Sequence, residues 1–327
     1  MKKIMVTGGC GFIGSCFVRN LVRQGDFEVV NYDKLTYAGN PENVKEVANS
    51  SNYSFVLGDI CDRGLLRKTL KDVDFVVNFA AESHVDRSII DPAAFIDSNV
   101  KGVYALLDEG MKAGIEKFLQ ISTDECYGST ETGVFTETSL LHPRNPYSAT
   151  KAGGEMIVNA FQETHGMFTL ITRGSNTYGP YHFPEKLIPL FVVNLLHGKK
   201  VPLYGDGLNV REWIYVEDHC NGILKVLLKG KSGEVYNVGG GKGVTNIDLT
   251  KKLLELTGRD ESFIEYVEDR KGHDKRYALD SSKIERELGW KAVKEFDLGL
   301  KETVEWIKNN ESWWKPLLER RAKELKN

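Results

Sequence analysis

The sequence predicts an α/β fold, a doubly wound parallel sheet followed by a smaller C-terminal α+β lobe. Two patterns carry this expectation. From the N-terminus to about Arg173, short β-branched runs alternate with longer amphipathic segments, and strand, helix, strand repeated in this way is the pattern of a parallel sheet with crossover helices. The runs are also nearly continuous in apolar residues, as strands buried on both faces are.

In order, Lys3 to Thr7, Glu28 to Asp33, Tyr53 to Leu57, Asp74 to Phe79, Phe118 to Ser122 and Phe168 to Thr172 read as strands. Helical periodicity fills Gly14 to Arg23, Arg63 to Leu70, Ala93 to Ala113 and Pro146 to His165. Beyond Arg173 the units shorten. A helix spans about Glu185 to His197, strands fall at Trp213 to Val216 and Glu234 to Val238, a helix runs from about Asn246 to Leu256, and further helices follow from Leu298. The expected division is therefore residues 1–173, a sheet domain, and 174–327, a lobe from which segments can return to the first domain.

The 327 residues are about twice the usual ~150-residue domain, which suits this division. Forty-three Lys and Arg against 46 Asp and Glu leave a net charge of -3 with no basic block, so neither nucleic acid nor an anionic membrane is an expected partner. Cys10, Cys16, Cys61, Cys126 and Cys220 form no C-x-x-C pair, which reads as reduced thiols, without a metal site or a disulfide framework. No apolar run approaches the ~18 residues of a membrane span, and strand-like residues begin at Lys3, leaving no room for a signal peptide. A cytoplasmic location is expected.

The first strand runs into Gly8-Gly9-Cys10-Gly11-Phe12-Ile13-Gly14, and a helix opens at the last glycine. Read from Gly9 this is G-x-G-x-x-G, and read from Gly8, through Gly11 to Gly14, it is G-x-x-G-x-x-G. Either spacing suits a tight turn whose backbone approaches a pyrophosphate at a helix N-terminus. Alone, it equally suits a flexible strand-to-helix turn. Asp33, nineteen residues beyond Gly14 and at the end of the second strand, adds a carboxylate for ribose hydroxyls and against a 2′-phosphate. NAD is thus expected over NADP, although adjacent Lys34 pulls the other way. Asp59, after the third strand, is either an adenine contact or a cap for the next helix. Strand, glycines, helix and acid in register make this a dinucleotide-binding Rossmann domain.

Tyr147 and Lys151 lie four apart and share a helix face. Surface pairs have the same spacing, but this one follows the fifth strand of a dinucleotide fold. A neighbouring ammonium favours the phenolate, so Lys151 is expected to bring the Tyr147 pKa down and let it take a proton from a sugar hydroxyl while NAD takes the hydride. The fifth strand ends in Ser122-Thr123-Asp124-Glu125-Cys126-Tyr127-Gly128. Two adjacent acids also suit a solvated loop; here they stand where such sheets bind ligands. Oxidation of a hexose at C4 acidifies the C5 hydrogen, and loss of the C6 hydroxyl then needs a base and an acid. Glu125 and Asp124 suit those roles if their environments push their pKa values apart, with Thr123 on the C4 oxygen.

These motifs, with FAAESHVDRS from Phe79, resemble the extended short-chain dehydrogenase/reductases that act on nucleotide sugars. Within that group, STDE followed by YG, NPYSATK from Asn145, YGPYHFPEKLIP from Tyr178, YGDGLNVREWIYVEDH from Tyr204 and GHDKRYALD from Gly272 resemble the dTDP-glucose 4,6-dehydratases, across essentially the whole chain. The resemblance implies a lyase that uses NAD without net redox, turns dTDP-glucose into dTDP-4-keto-6-deoxyglucose and water, and forms homodimers through the helices Ala93 to Ala113 and Pro146 to His165. It implies NAD contacts at Phe12, Ile13, Asp33, Asp59, Ile60, Ala80, Ala81 and Ser83, with Thr177 near the nicotinamide. It implies sugar-nucleotide contacts at Ser83, Thr123, Asn176, Lys186, Leu187, Pro202, Tyr204, Arg211, Asn246, Arg270 and His273. Arg211 offers a planar fork of donors to a dianionic pyrophosphate. His84 and Asp86 either touch ligand or hold their loop together.

The chain departs from the family pattern at Thr177 (usually Asn), Cys126 (usually Val), Ser98 (usually Thr) and Lys271 (usually Pro). Competing readings are a UDP-glucose 4,6-dehydratase, a nucleotide-sugar 4-epimerase and a non-catalytic NAD sensor. Asp124 and Glu125 argue against the epimerase, which needs no acid/base pair on C5 and C6; Tyr147 and Lys151 argue against the sensor.

Overall fold

The structure, a computed structural model, describes residues 1–269 and 273–324, the side chains of 321–324 excepted. Its strands are β1 (Lys2–Thr7), β2 (Phe27–Asp33), β3 (Tyr53–Leu57), β4 (Phe75–Asn78), β5 (Lys117–Thr123), β6 (Thr169–Gly174), β7 (Asn176–Tyr178), β8 (Val201–Tyr204), β9 (Val210–Tyr215), β10 (Val235–Val238), β11 (Gly243–Thr245) and β12 (Ile264–Val267). Seven of them form one parallel sheet in the order β10-β6-β5-β4-β1-β2-β3, the doubly wound Rossmann arrangement. Side chains of β1 alternate between two apolar layers. Ile4 and Val6 join Val29, Val77 and Leu119 on one face, while Met5 joins Val30, Val76 and Phe118 on the other. Burial on both faces is why these strands read as unbroken apolar runs. β3 is the exception: as an edge strand paired only with β2 it leaves Phe55 and Leu57 exposed, so the expectation of two buried faces fails there.

The helices packing on this sheet are α1 (Phe12–Gln24), α2 (Arg63–Thr69), α3 (Val85–Ile90), α4 (Ala93–Ile96), α5 (Val103–Ala113) and α6 (Pro146–His165), with a π-helical turn at Asp97–Gly102 joining α4 to α5. The turn brings buried Asn99 to the loop before α3, where its amide donates to the Glu82 carbonyl and its oxygen accepts from the Glu82 N–H, both at 3.0 Å. α6 begins with Pro146 in its first turn, where a missing N–H costs nothing, behind an Asn145 cap.

After α7 (Leu187–Leu196), the strand expected at Trp213 to Val216 runs instead from Val210 to Tyr215, and Val216 opens α8 (Val216–Lys229), a helix missed in the sequence. Its acids Glu217 and Asp218 are first-turn residues that favour the positive helix end. Val216, Cys220, Ile223, Val226 and Leu227 pack it on the main sheet, and β10 then pairs in parallel with β6. The strand expected at Glu234 to Val238 therefore belongs to the large sheet. The remaining strands form two small sheets, β11-β9-β7 and β12-β8. These gather with α7, α9 (Asn246–Thr257), α11 (Phe296–Asn309) and α12 (Glu311–Glu324) around a separate apolar core, while α10 (Ser282–Leu288) sits on β10.

Candidate active site

Where the chain leaves β3 on one side of β1 to start β4 on the other, the strand order reverses, and the carboxyl ends of the strands open into a cavity of about 570 Å³. All residues given a catalytic, cofactor or substrate role from the sequence border it, apart from Arg270, which lies outside the described residues, as does Lys271.

One end is built by the glycine turn. Gly8 has φ +68°, and a Cβ there would stand 2.7 Å from the Ala80 nitrogen; a Cβ on Gly14 would stand 2.3 Å from the Gly8 carbonyl oxygen. The glycines thus let the first turn of α1 close onto the strand. Gly11 caps α1 without a side-chain hydrogen bond and no acid occupies its first turn, so the helix presents open N–H groups of the kind that bind a pyrophosphate. Asp33 closes β2; its oxygens accept from Leu35 N (2.7 Å) and Cys10 N (2.8 Å), and further lone pairs remain for ribose hydroxyls. Asp59 is not the cap of α2, a role filled by Asp62; it pairs with Lys34 at 2.6 Å at the cavity wall. These residues fit a dinucleotide.

The catalytic candidates come from two elements. β5 ends at Thr123, whose hydroxyl accepts the Glu125 N–H, folding Asp124–Tyr127 into a 3₁₀ turn. Across from it, the Tyr147 N–H, unpaired within α6, donates to Ser88 Oγ at 3.2 Å, and the Tyr147 ring meets Phe95 edge-on. Lys151, one turn on, donates to the Ile121 carbonyl at 2.6 Å.

Asp124 is 2 % exposed; Thr123 donates to its Oδ1 at 3.2 Å, while its Oδ2 is buried without a partner. Burial foremost, then the charges of Glu125 and Glu212, push its pKa well above the carboxylate range. Glu125 is also raised by burial, but Arg211, Lys186 and the Asn145 amide pull it back. The expectation for Tyr147 is reversed. Burial, followed by the Glu125 charge, holds the phenol well above 10, with only the Thr123 hydroxyl and no Lys151 contribution opposing among the main causes. Lys151 is itself lowered by burial, and its ammonium faces a backbone carbonyl.

At the other end, Arg211 is held by the carbonyls of Val210 (2.9 Å) and Asp274 (2.8 Å) and lies 4.4 Å over the Tyr277 ring. No carboxylate forms an ion pair with it among the described residues. The Asn246 Oδ1 is buried without a partner beside it in the lining. Lys186 donates to the Ser83 carbonyl at 3.0 Å. His84 meets Glu185 at 3.3 Å and also borders the cavity, so it both touches the site and holds its loop. Thr177 bonds the His219 Nδ1 at 2.8 Å, and Cys126 packs behind the turn, its thiol 3.7 Å from the Ser148 carbonyl.

Several lining residues were missed in the sequence. Asn145 precedes Pro146 in the pattern of a helix cap, His219 lies in the unrecognised α8, and Asp274 and Tyr277 fall inside the GHDKRYALD segment, where nothing in the spacing places them against Arg211.

The family described as GDP-mannose 4,6 dehydratase matches residues 5–303. A dTDP-glucose 4,6-dehydratase of Actinoplanes sp. is 50% identical, over 95% of this chain and 99% of its own. A low-salt glycan biosynthesis protein, Agl12, of Haloferax volcanii is 52% identical, over 93% of this chain and 97% of its own. The crystal structure of DesIV, a dTDP-glucose 4,6-dehydratase of Streptomyces venezuelae with NAD and a thymidine nucleotide bound, superposes with a TM-score of 0.95 at 51% identity, covering 96% of this chain and 99% of that one.

Proposed function

The chain belongs to the GDP-mannose 4,6 dehydratase family, and from that membership we propose that it is an NAD-dependent hydro-lyase converting dTDP-glucose to dTDP-4-keto-6-deoxyglucose and water. The observation that carries the reading is the unequal environment of two adjacent carboxyls. Asp124, buried and beside two other acids, is the member pushed further toward the protonated form; Glu125, drawn back by Arg211 and Lys186, is the member more readily ionised. An acid and a base side by side are what an elimination across C5 and C6 requires.

The glycine turn, Asp33 and Lys151 would hold NAD, which when bound would supply the hydride acceptor for C4 of the hexose and the hydride donor for C6. Tyr147 takes the C4 hydroxyl proton, with Thr123 hydrogen-bonded to the same oxygen. Lys151, anchored on the Ile121 carbonyl, orients the ribose side of the cofactor site. Glu125 removes the C5 proton once C4 is a ketone, Asp124 protonates the departing C6 hydroxyl so that water leaves, and a proton goes back to C5 as the hydride is returned to C6, so no net redox occurs. Arg211 and Lys186 face the diphosphate, with Asn176, Leu187, Pro202, Tyr204, Asn246 and His273 around the nucleotide sugar. Residues 1–173 hold NAD and the proton-transfer groups, and 174–327 mainly hold the substrate.

We further propose a cytoplasmic homodimer. The five cysteines are all free, which suits a reducing compartment. No helix among the described residues is long and apolar enough to cross a membrane. The α4–α5 segment and α6 leave Ile96, Tyr104 and Met156 exposed, an apolar face for a second copy. A monomer by light scattering at micromolar concentration would refute the dimer.

The test of the activity is purified protein with dTDP-glucose and UDP-glucose competing in one tube. We expect a 4-keto product from the thymidine nucleotide and loss of deuterium from C5-labelled substrate. Unchanged substrate with NAD bound would overturn the reading, and a product epimeric at C4 would favour the epimerase.

A further inference from the structure

Behind the cavity, between its two pieces of catalytic machinery, lie four buried polar residues that do not border it: Tyr127, Glu155, Arg173 and Asn237, none more than 4% exposed. Arg173, on β6, clasps both oxygens of Glu155 at 2.6 to 3.2 Å. Glu155 stands on α6 one turn beyond Lys151. Arg173 also donates through Nη1 to the Tyr127 hydroxyl at 2.7 Å and lies 4.6 Å over that ring. The Tyr127 hydroxyl spends its one proton on Asn237 Oδ1 at 2.8 Å, and the Asn237 amide donates to the Phe135 and Asp280 carbonyls. Tyr127 closes the turn that carries Asp124 and Glu125, so one guanidinium ties that turn to the helix of Tyr147 and Lys151.

A buried ion pair is a weak source of net stability, since an apolar pair of the same volume often serves as well. What this one supplies is direction. Arg173 has fixed fork geometry, both Glu155 oxygens accept from it, and the Tyr127 hydroxyl accepts from it while its own proton is committed to Asn237, so the turn has one place to sit relative to α6. An error of about 1 Å in such a placement costs on the order of a hundredfold in rate.

We propose that Tyr127 and Arg173 are positioning residues for the elimination half of the reaction, holding the Asp124–Glu125 turn at its working distance from Tyr147. The proposal rests on the dehydratase reading. Tyr127→Phe keeps the ring on Phe135 and removes only the hydroxyl; Arg173→Lys keeps the charge toward Glu155 and removes the fork to Tyr127. In both, α6 stays where it is, so oxidation at C4 proceeds while C5–C6 elimination slows. With dTDP-glucose as the probe, we expect kcat to fall roughly 10- to 100-fold with KM within about twofold. Reduced NAD should build up in a single turnover, and C5 deuterium should wash out more slowly than in the wild-type protein. Wild-type protein that does not convert dTDP-glucose defeats the dehydratase reading and this proposal with it. Wild-type conversion defeats the proposal alone if the variants turn over normally, slow without accumulating reduced NAD, melt earlier but run at the wild-type rate when folded, or both fail to fold at any temperature.

Discussion

Asn145 serves a helix and a carboxylate with one side chain. Its Oδ1 accepts the Ser148 N–H at 2.9 Å, capping α6, while its Nδ2 donates to Glu125 Oε2 at 3.4 Å. The residue that starts the helix of Tyr147 and Lys151 therefore also supports the proposed base on the opposite turn. Asn145→Ser keeps a competent cap, changing stability by less than about 1 kcal/mol, but removes the donor. Because that donor favours the ionised carboxyl, its loss raises the Glu125 pKa, and the acidic limb of kcat/KM against pH moves to higher pH. An unmoved limb would show that the contact does not tune Glu125.

Exchanging the carboxyls separates the two proton transfers. Glu125→Gln removes the base, so reduced NAD accumulates without product. Asp124→Asn removes the acid but leaves the base, so C5 deuterium washes out while the C6 hydroxyl stays. Each change lowers kcat by roughly 10²- to 10⁴-fold. Stopped-flow absorbance and mass spectrometry of recovered substrate distinguish them; normal turnover of either variant would remove that carboxyl from the mechanism.

Arg211 is pre-set by two carbonyls and a ring, and no carboxylate is ion-paired with it among the described residues. Arg211→Met withdraws a charge-assisted contact of about 1.5–3 kcal/mol, so KM for dTDP-glucose rises on the order of 10- to 100-fold, and because Arg211 also draws the Glu125 carboxyl down, the acidic limb of kcat moves to higher pH. A variant with unaltered KM would mean the diphosphate lies elsewhere.

The C-terminal helix reaches the cofactor end. Trp313 Nε1 donates to Asn43 Oδ1 at 2.8 Å, and the Asn43 amide donates to the Cys10 carbonyl in the glycine turn at 2.9 Å. Trp313→Phe keeps an aromatic ring against Tyr181 and deletes the donor, at about 1 kcal/mol. Release of NAD should quicken about fivefold, read by cofactor fluorescence after dilution; an unchanged release rate would confine Trp313 to packing.

His182, stacked on Phe12 at 4.5 Å, is buried, and burial lowers its pKa from 6.5 to about 3. The unfolded chain takes up that proton below pH 6.5 and the folded chain does not, so this group's contribution to stability is lost as pH falls from 6.5 toward 3. Urea unfolding of His182→Gln should therefore lose stability less steeply than wild type across that window. Parallel curves would exclude His182 as a source of acid sensitivity.

By itself the sequence determined the alternation that makes the sheet, the glycines at 8, 11 and 14, the acid at 33, the Tyr147–Lys151 pair and the Thr123–Asp124–Glu125 run. Each is a local pattern: apolar periodicity states which side of an element is buried, and a short motif states which groups a turn presents. Only the tertiary structure decided what that buried side meets. It sent α8 and β10 back to the large sheet, left β3 at an edge, and carried Asp274 and Tyr277 to Arg211. It also reversed the sign for Tyr147, because desolvation depends on everything packed around the phenol, whereas spacing reports only that a lysine is near.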